Sequence, residues 1–261
     1  NYSGSTAFNF NGAIDQVRIY TRAISASEVD TLYNETVSTT SNTNLFNRGA
    51  ALSLYTFDYD ASDAGDLYNG TSSNVEFGVG GQINTAANFN GTDSYIALPD
   101  GSMQITTLTI TAWINPSSLA SSGSNTILET YGYSGGSKGW LFRVSSTKLA
   151  FMGYATDPAN TDITSSESIS SNTWTHVAVV FVANTTGKLY INGSEATYTS
   201  QTVGTPTFFP SENTTIGALR YGGGGGQDLF AGRIDQVRVF STALSDSQIN
   251  EIYQETACNY T

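Results

Sequence analysis

The sequence predicts an all-β chain, a two-sheet antiparallel sandwich with a short capped helix after its last strand. Three observations point there. Short runs rich in Val, Ile, Thr, Tyr and Phe recur from residue 51 to residue 240, separated by turn signals such as Asn90-Gly91 and Asn192-Gly193. In the run 108–114, Leu108, Ile110, Ala112 and Ile114 fall on one side of a strand and make a clean core face. Helical periodicity is confined to one kind of short segment, found once near each end.

That segment comes first in the chain. Residues 12–36 read GAIDQVRIYTRAISASEVDTLYNET, and residues 232–256 read GRIDQVRVFSTALSDSQINEIYQET; 12 of 25 positions are identical without a gap. Each copy opens as a strand. Strict alternation in the second copy puts Asp235, Val237 and Val239 on one face and Ile234, Gln236, Arg238 and Phe240 on the other. Each copy then turns into a helix. Ser25 with Glu28, and Ser245 with Gln248, fit a capping box that satisfies the free N–H groups of the first turn. Ile24 with Val29, and Leu244 with Ile249, stand at hydrophobic-staple positions. Val29, Leu32 and Tyr33 match Ile249, Ile252 and Tyr253 as one apolar stripe.

The offset between copies is 220 residues, which suits strung whole domains rather than a solenoid of small units. Residues 1–37 are therefore read as the closing strand and helix of a preceding repeat, 38–45 as a polar linker, 46–256 as a complete domain and 257–261 as the start of the next linker. Within 46–256, strands are expected at 51–57, 74–77, 86–89, 94–98, 108–114, 126–130, 139–144, 148–152, 174–182, 188–191, 214–218 and 233–240. Trp113 falls opposite the core face of its strand, so that face is covered too or carries a site.

Composition narrows the function. Ten Lys and Arg against 22 Asp and Glu, a net charge of −12, leave no basic patch for a phosphate backbone. The lone Cys258 allows no intrachain disulfide; it is a tail thiol or bridges to another copy or chain. Eight N-x-S/T sequons are what chance supplies in a chain so rich in Asn, Ser and Thr. His176, the only histidine, sits inside an apolar strand away from any nucleophile and reads as a buried, hydrogen-bonded structural residue. One His and one Cys cannot make a zinc site. No strand carries the closely spaced carboxylate pair that glycoside hydrolysis needs, so no enzyme is expected.

Two features could bind something. Asp58, Asp60, Asp63 and Asp66 crowd into DYDASDAGD, hard oxygen donors of the kind Ca²⁺ takes, although the spacing is not that of an EF-hand. The loops ETYGYSGGSKGW and LRYGGGGGQD carry Tyr131, Tyr133, Lys138 and Trp140, and Arg220, Tyr221, Gln227 and Asp228. Aromatics beside amides and charges suit a sugar, with rings for its apolar face and polar groups for its hydroxyls. From these loops, Tyr131, Tyr133, Trp140, Arg220, Tyr221 and Gln227 are the candidate ligand contacts.

The ordered series LYTFDYDASDAGDLYNGT, AANFNGTDSYIALP, LTITAWINP, WTHVAVVFV, GKLYINGSEA, TTIGAL and FAGRIDQVRVFSTALSDSQINEIY resembles the laminin-G-like, concanavalin A-like jelly roll over residues 51–255. Residues 8–36 resemble that family's last strand and helix. The repeat style is also similar to arrays in marine phage structural proteins. The resemblance implies a structural Ca²⁺, here with Asp63, Asp66 and Asp235 as ligands and Asn69 or carbonyls completing the shell. It implies a non-catalytic adhesion or glycan-recognition module of a repetitive surface or virion protein such as a fibre, appendage or decoration. Its partners would be a glycan or cell-surface polysaccharide and neighbouring copies of the repeat. A purely structural spacer, or an accessory domain of a larger extracellular enzyme, are the alternatives.

Overall fold

The computed structural model describes residues 51–255, except 120–122, 134–135, 156–159, 209–213 and 221–226, together with Ala23, Ser25 and Ala26. The chain divides into two compact units, Asn1–Ser41 and Asn42–Thr261. In the first unit, the strand and helix expected at 12–36 lie outside the described residues apart from those three positions. The linker at 38–45 and Cys258 lie outside them too. All the described strands belong to the second unit.

These strands are β1 (Ala51–Tyr55), β2 (Thr71–Ser73), β3 (Glu76–Gly80), β4 (Thr85–Asn90), β5 (Tyr95–Leu98), β6 (Thr107–Pro116), β7 (Ser124–Glu129), β8 (Gly132–Tyr133) and β9 (Ser137–Ser145). There follow β10 (Lys148–Tyr154), β11 (Thr161–Ser168), β12 (Thr175–Val182), β13 (Thr186–Ile191), β14 (Ser194–Glu195), β15 (Tyr198–Thr202), β16 (Thr214–Ile216) and β17 (Ala231–Phe240), then helix α1 (Asp246–Tyr253). They build two antiparallel sheets. One has the order β14-β13-β12-β6-β17-β4-β3, with β1 also on β17; the other has the order β15-β11-β10-β9-β7-β16-β5-β2, with β8 on β9. This is the predicted jelly-roll sandwich.

Both sheets turn alternate residues inward, and these form one core. Leu108, Ile110, Ala112 and Ile114 of β6 are fully buried there, with Val177, Val179 and Phe181 from β12 and Trp140, Phe142, Phe151 and Ile163 from the facing sheet. The register of β17 departs from the alternation read in the sequence. Asp235 pairs with Trp113 and Arg238 with Thr111, so two residues of β17 oppose Ala112 alone. Gln236 absorbs the extra residue at φ 50°. The bulge reverses the faces beyond it: Ile234, Val237 and Val239 point into the core, while Asp235, Arg238 and Phe240 point out. Gly232, just upstream, sits at φ +131°, and a Cβ there would lie 2.3 Å from Asn115 O. Only glycine fits that crossing, and Gly12 occupies the matching place in the first copy.

The outward face of the first sheet is covered by α1. Ile249, Ile252 and Leu244 pack on Ala178, Val180, Tyr190 and Phe240 as a second, smaller cluster. The predicted capping box is present in full: the Ser245 side chain accepts from Gln248 N, and the Gln248 side chain accepts from Ser245 N. Ser245→Ala should therefore cost about 1 kcal/mol. That loss should appear in chemical denaturation as a lower midpoint with an unchanged slope; an unaltered midpoint would mean the cap contributes nothing.

Candidate functional site

The outward face of the nine-stranded sheet carries a second polar and aromatic assembly. Along β9, Trp140, Phe142 and Val144 point inward, so Leu141 and Arg143 point out. Along β10 the same alternation turns Met152 and Tyr154 outward beside them. Tyr131, Leu141 and Leu219 form a small apolar cluster with Tyr154 packed against it. The Tyr131 and Tyr154 rings meet edge to face at 5.1 Å.

Charge is set into this apolar floor. Arg143 Nη1 donates to Asp228 Oδ2 at 3.2 Å, its Nη2 lies against Met152 Sδ, and its buried Nε has no hydrogen-bond partner. A guanidinium with five N–H donors thus has one strong acceptor. Asp162 on β11 accepts from Thr164 Oγ1 at 3.1 Å and Ser200 Oγ at 2.9 Å. Burial raises the Tyr154 phenol, the Arg143 charge opposes the shift, and the charges of Asp228 and Asp162 add to it.

Glu129, at the end of β7, holds the two candidate loops together. It is fully buried and accepts from Thr215 Oγ1 at 2.5 Å, from Tyr131 N in one loop and from Arg220 N at 3.3 Å in the other. Its carboxylate is committed to loop anchoring, so it is not a free acid facing a substrate.

The six sequence-predicted ligand contacts fare differently. Tyr131 is in the cluster, 8% exposed, with its hydroxyl 2.7 Å from Ser137 Oγ. Arg220 lies over the Tyr95 ring at 3.9 Å. Gln227 is exposed, and its backbone pairs with Leu219. Tyr133 is in β8, opposite Ser137. Tyr221 lies outside the described residues. Trp140 is a correction: it is 0% exposed, faces the core and packs 5.9 Å from Phe151, because β9 alternates and its even-numbered residues are the inward ones. Arg143, Tyr154 and Asp162 were missed. The alternation of GWLFRV would have found Arg143, once Trp140 was assigned to the core.

The acidic loop does not gather as expected either. Asp63 is 4% exposed, and its two oxygens accept from the backbone N–H groups of Leu54, Gly65, Leu67 and Tyr68. It builds the turn. Asn69 closes the same turn, donating to Asp66 and accepting from Asp63 N. Asp235 sits instead at the β3–β4 turn, where Oδ2 accepts from Gln82 N at 3.0 Å and Ile83 N at 2.9 Å. Its buried Oδ1 has no partner. Asp58 is anchored at the same turn through Thr85 N. Burial, with the Asp58 charge adding to it, pushes Asp235 up to about 7. Among the described residues no three carboxylate, histidine or cysteine side chains converge. Asp235 thus keeps one buried, unpartnered oxygen near the turn that anchors Asp58, and Asp63 is spoken for by backbone.

His176 and Trp113 lie under α1. His176 is 1% exposed, buried as the sequence predicts, and burial drives it down to about 3. Its ring nitrogens have no hydrogen-bond partner, unlike the hydrogen-bonded ring that the sequence leads one to expect. Trp113 is 6% exposed against Tyr253, so its face is covered.

Comparison with known proteins gives one family. Residues 90–250 match the family described as the concanavalin A-like lectin/glucanases superfamily, of laminin G type. No match was found among curated proteins. Among solved structures, domain 4 of AbnA, a GH43 extracellular arabinanase from Geobacillus stearothermophilus in complex with arabinotriose, aligns at TM-score 0.56 and 22% identity, covering 78% of this chain and 98% of that one. The binding domain of Paraclostridial Mosquitocidal Protein 1 aligns at TM-score 0.63 and 18% identity, over 79% of this chain and 52% of that one. Trypanosoma rangeli sialidase, in complex with 2,3-difluorosialic acid, aligns at TM-score 0.57 and 14% identity, over 78% of this chain and 32% of that one. The chain thus spans about half of the toxin domain and a third of the sialidase. At these identities the likeness is one of fold.

Proposed function

The chain belongs to the concanavalin A-like lectin/glucanases superfamily, and from that premise we propose that it is a non-catalytic glycan-recognition module that binds on the outward face of its nine-stranded sheet. It is a carbohydrate-binding-like jelly roll. The observation that carries the reading is the Arg143–Asp228 pair set among Tyr131, Tyr154, Leu141 and Leu219. Tyr154 is the half-buried ring of this group, with Tyr131, Leu141 and Leu219 buried around it. An aromatic ring for a sugar's apolar face, beside an under-used guanidinium and carboxylates for its hydroxyls, is what a sugar site requires. Three neighbours bear on it by analogy: an arabinanase domain with arabinotriose, a toxin binding domain and a sialidase.

A non-enzymatic role is supported by the commitment of Glu129 to loop anchoring and of Asp228 to Arg143. Hydrolysis needs an acid and a base facing each other across the sugar, about 5–9 Å apart. The duplication of residues 12–36 in 232–256 supports repeated display on a surface or virion protein, where several weak sites on one chain gain avidity. An extracellular setting accords with that role. Among the described residues no helix is long and apolar enough to cross a membrane. A calcium ion at Asp235 and Asp58 would be structural.

Glycan-array screening followed by titration of the best ligand tests the reading. Arg143→Ala should weaken binding roughly ten- to a hundredfold, the worth of a charge-assisted hydrogen bond, while the sandwich melts cooperatively. Binding untouched by Arg143→Ala moves the site elsewhere. An array without a single hit favours the spacer role, and release of reducing sugar by the chain alone refutes the non-enzyme assignment.

A further inference from the structure

His176 is buried in a way that packing alone does not explain. Its ring stands between Trp113 at 5.3 Å and Tyr253 at 5.8 Å, and those two rings also meet, at 5.6 Å. Neither ring nitrogen has a hydrogen-bond partner, at 1% exposure. The backbone is fully served: His176 N donates to Asn192 Oδ1 at 3.0 Å, and its carbonyl accepts from Asn192 N at 2.8 Å. A buried polar ring with no partner costs stability that phenylalanine would not, since its donor and acceptor have lost water and gained nothing. A histidine at such a place adds a charge that can be switched on.

The lid over this ring is the end of α1. Tyr253 is the helix residue on it, and Gly193 lies so close beneath Tyr253 that a Cβ there would be 2.7 Å from the ring. The helix is docked through its own apolar cluster, separate from the main core, so it can leave without opening the sheets. Charges near the ring come from β17 and from Glu255, two residues beyond the helix. Arg238 is 5% exposed and pairs with Glu255 at 2.6 Å, and Asp235 acts on Arg238 from further along β17. The flanking groups of β6 and of the β13–β14 turn, Thr111, Trp113, Asn192 and Gly193, carry no charge. At the other end of the helix, Asp246 pairs with Lys188 and Tyr190.

We propose that His176 is an acid-triggered release for α1: protonation of its ring undocks residues 246–255 while the two sheets stay folded. A proton on the ring places a second cation beside Arg238 in a site closed to water. Burial, and Arg238 after it, hold the ring neutral, down to about 3 from the usual 6.5. Folded-state affinity for the proton is thus depressed. Docking is at full strength above 6.5 and weakens as pH falls from there towards 3. Glu255, raised by burial, binds its proton more tightly in the docked state, so its own titration favours docking on acidification and opposes the effect of His176. The inference stands apart from the glycan site, which is on the other sheet.

Hydrogen exchange of residues 246–255 in the whole chain, corrected for intrinsic rate, tests it at about pH 7.5 and about pH 4.5. Protection of the helix should drop about a hundredfold at the lower pH, the ratio set by two pH units below 6.5, with the strands of the core still protected. His176→Phe, which keeps the ring volume, should abolish most of that drop, and Glu255→Gln should leave it in place. Should His176→Phe fail to fold, the ring resonances of this single histidine serve instead: they should stay neutral below pH 6 and change together with the loss of helix protection. A ring that titrates near 6.5 with the helix still protected, or a helix equally protected at both pH values, overturns the proposal.

Discussion

Replacing Trp140 by alanine is expected to destabilise the sandwich by about 3–5 kcal/mol and to lower its melting temperature by roughly 10 °C. The indole is wholly enclosed between the sheets, 0% exposed, against Phe151, which in turn meets Phe181 at 5.0 Å. Alanine leaves a void at the centre of the layer, and the stiff strands β9 and β10 cannot close over it. A tryptophan used as a sugar platform would behave differently: its loss would weaken binding and leave the melt nearly unchanged. Thermal unfolding of Trp140→Ala beside Arg143→Ala separates the two cases. A Trp140→Ala protein that melts within about 2 °C of its parent contradicts the core assignment.

That pair of neighbours also marks how far the sequence could be read. Trp140 and Arg143 belong to one run, GWLFRV, and alternation assigns them to opposite faces without further information. Alternation does not say which face is inward, because an aromatic in a Gly-rich hairpin has the composition of a loop site. The strong strands were legible, since Leu108, Ile110, Ala112 and Ile114 of β6 and Val177, Val179 and Phe181 of β12 line their inward faces. Strands β11 and β15 were not, since TDITSSES and YTSQT place only Ile163 deep in the core and otherwise look like turn residues. Alternation failed on β17, where Gln236 takes up the bulge, and that single extra residue decides that Asp235 faces out. Both proposed sites, for sugar and for cation, draw on residues far apart in the chain. Arg143 pairs with Asp228, Tyr131 packs on Tyr154, and Asp58 and Asp235 are anchored at one turn although more than half the chain separates them in sequence. Local spacing had pointed to Asp63, Asp66 and Asn69 because they are close in sequence; closeness there made a turn.

Calcium should raise the melting temperature at about pH 8 and do little at about pH 5. The sign follows from Asp235. Its folded-state affinity for a proton is raised, to about 7 from the ordinary 3.8, by burial and then by the Asp58 charge. The metal-free fold therefore has this group's full contribution below 3.8 and loses it as pH rises through about 7, where two carboxylates must share a dry turn. A divalent cation would take the place of the proton, with the unpartnered Asp235 Oδ1 as one ligand, and its effect would be largest where the proton has gone. At a thousandfold excess over its dissociation constant the ion would stabilise the fold by about 4 kcal/mol, roughly 10 °C for a domain of this size. Asp235→Asn should remove the calcium response and flatten the metal-free dependence on pH between about 4 and 7. Asp63→Asn should lower the melt by breaking the turn at 54–68, since an amide cannot accept from those four N–H groups, yet keep the calcium response intact. Melts with EDTA and with millimolar calcium, for the three proteins at both pH values, decide the matter: a parent protein indifferent to calcium at pH 8 excludes the site, and a response lost in Asp63→Asn but kept in Asp235→Asn returns it to the acidic loop.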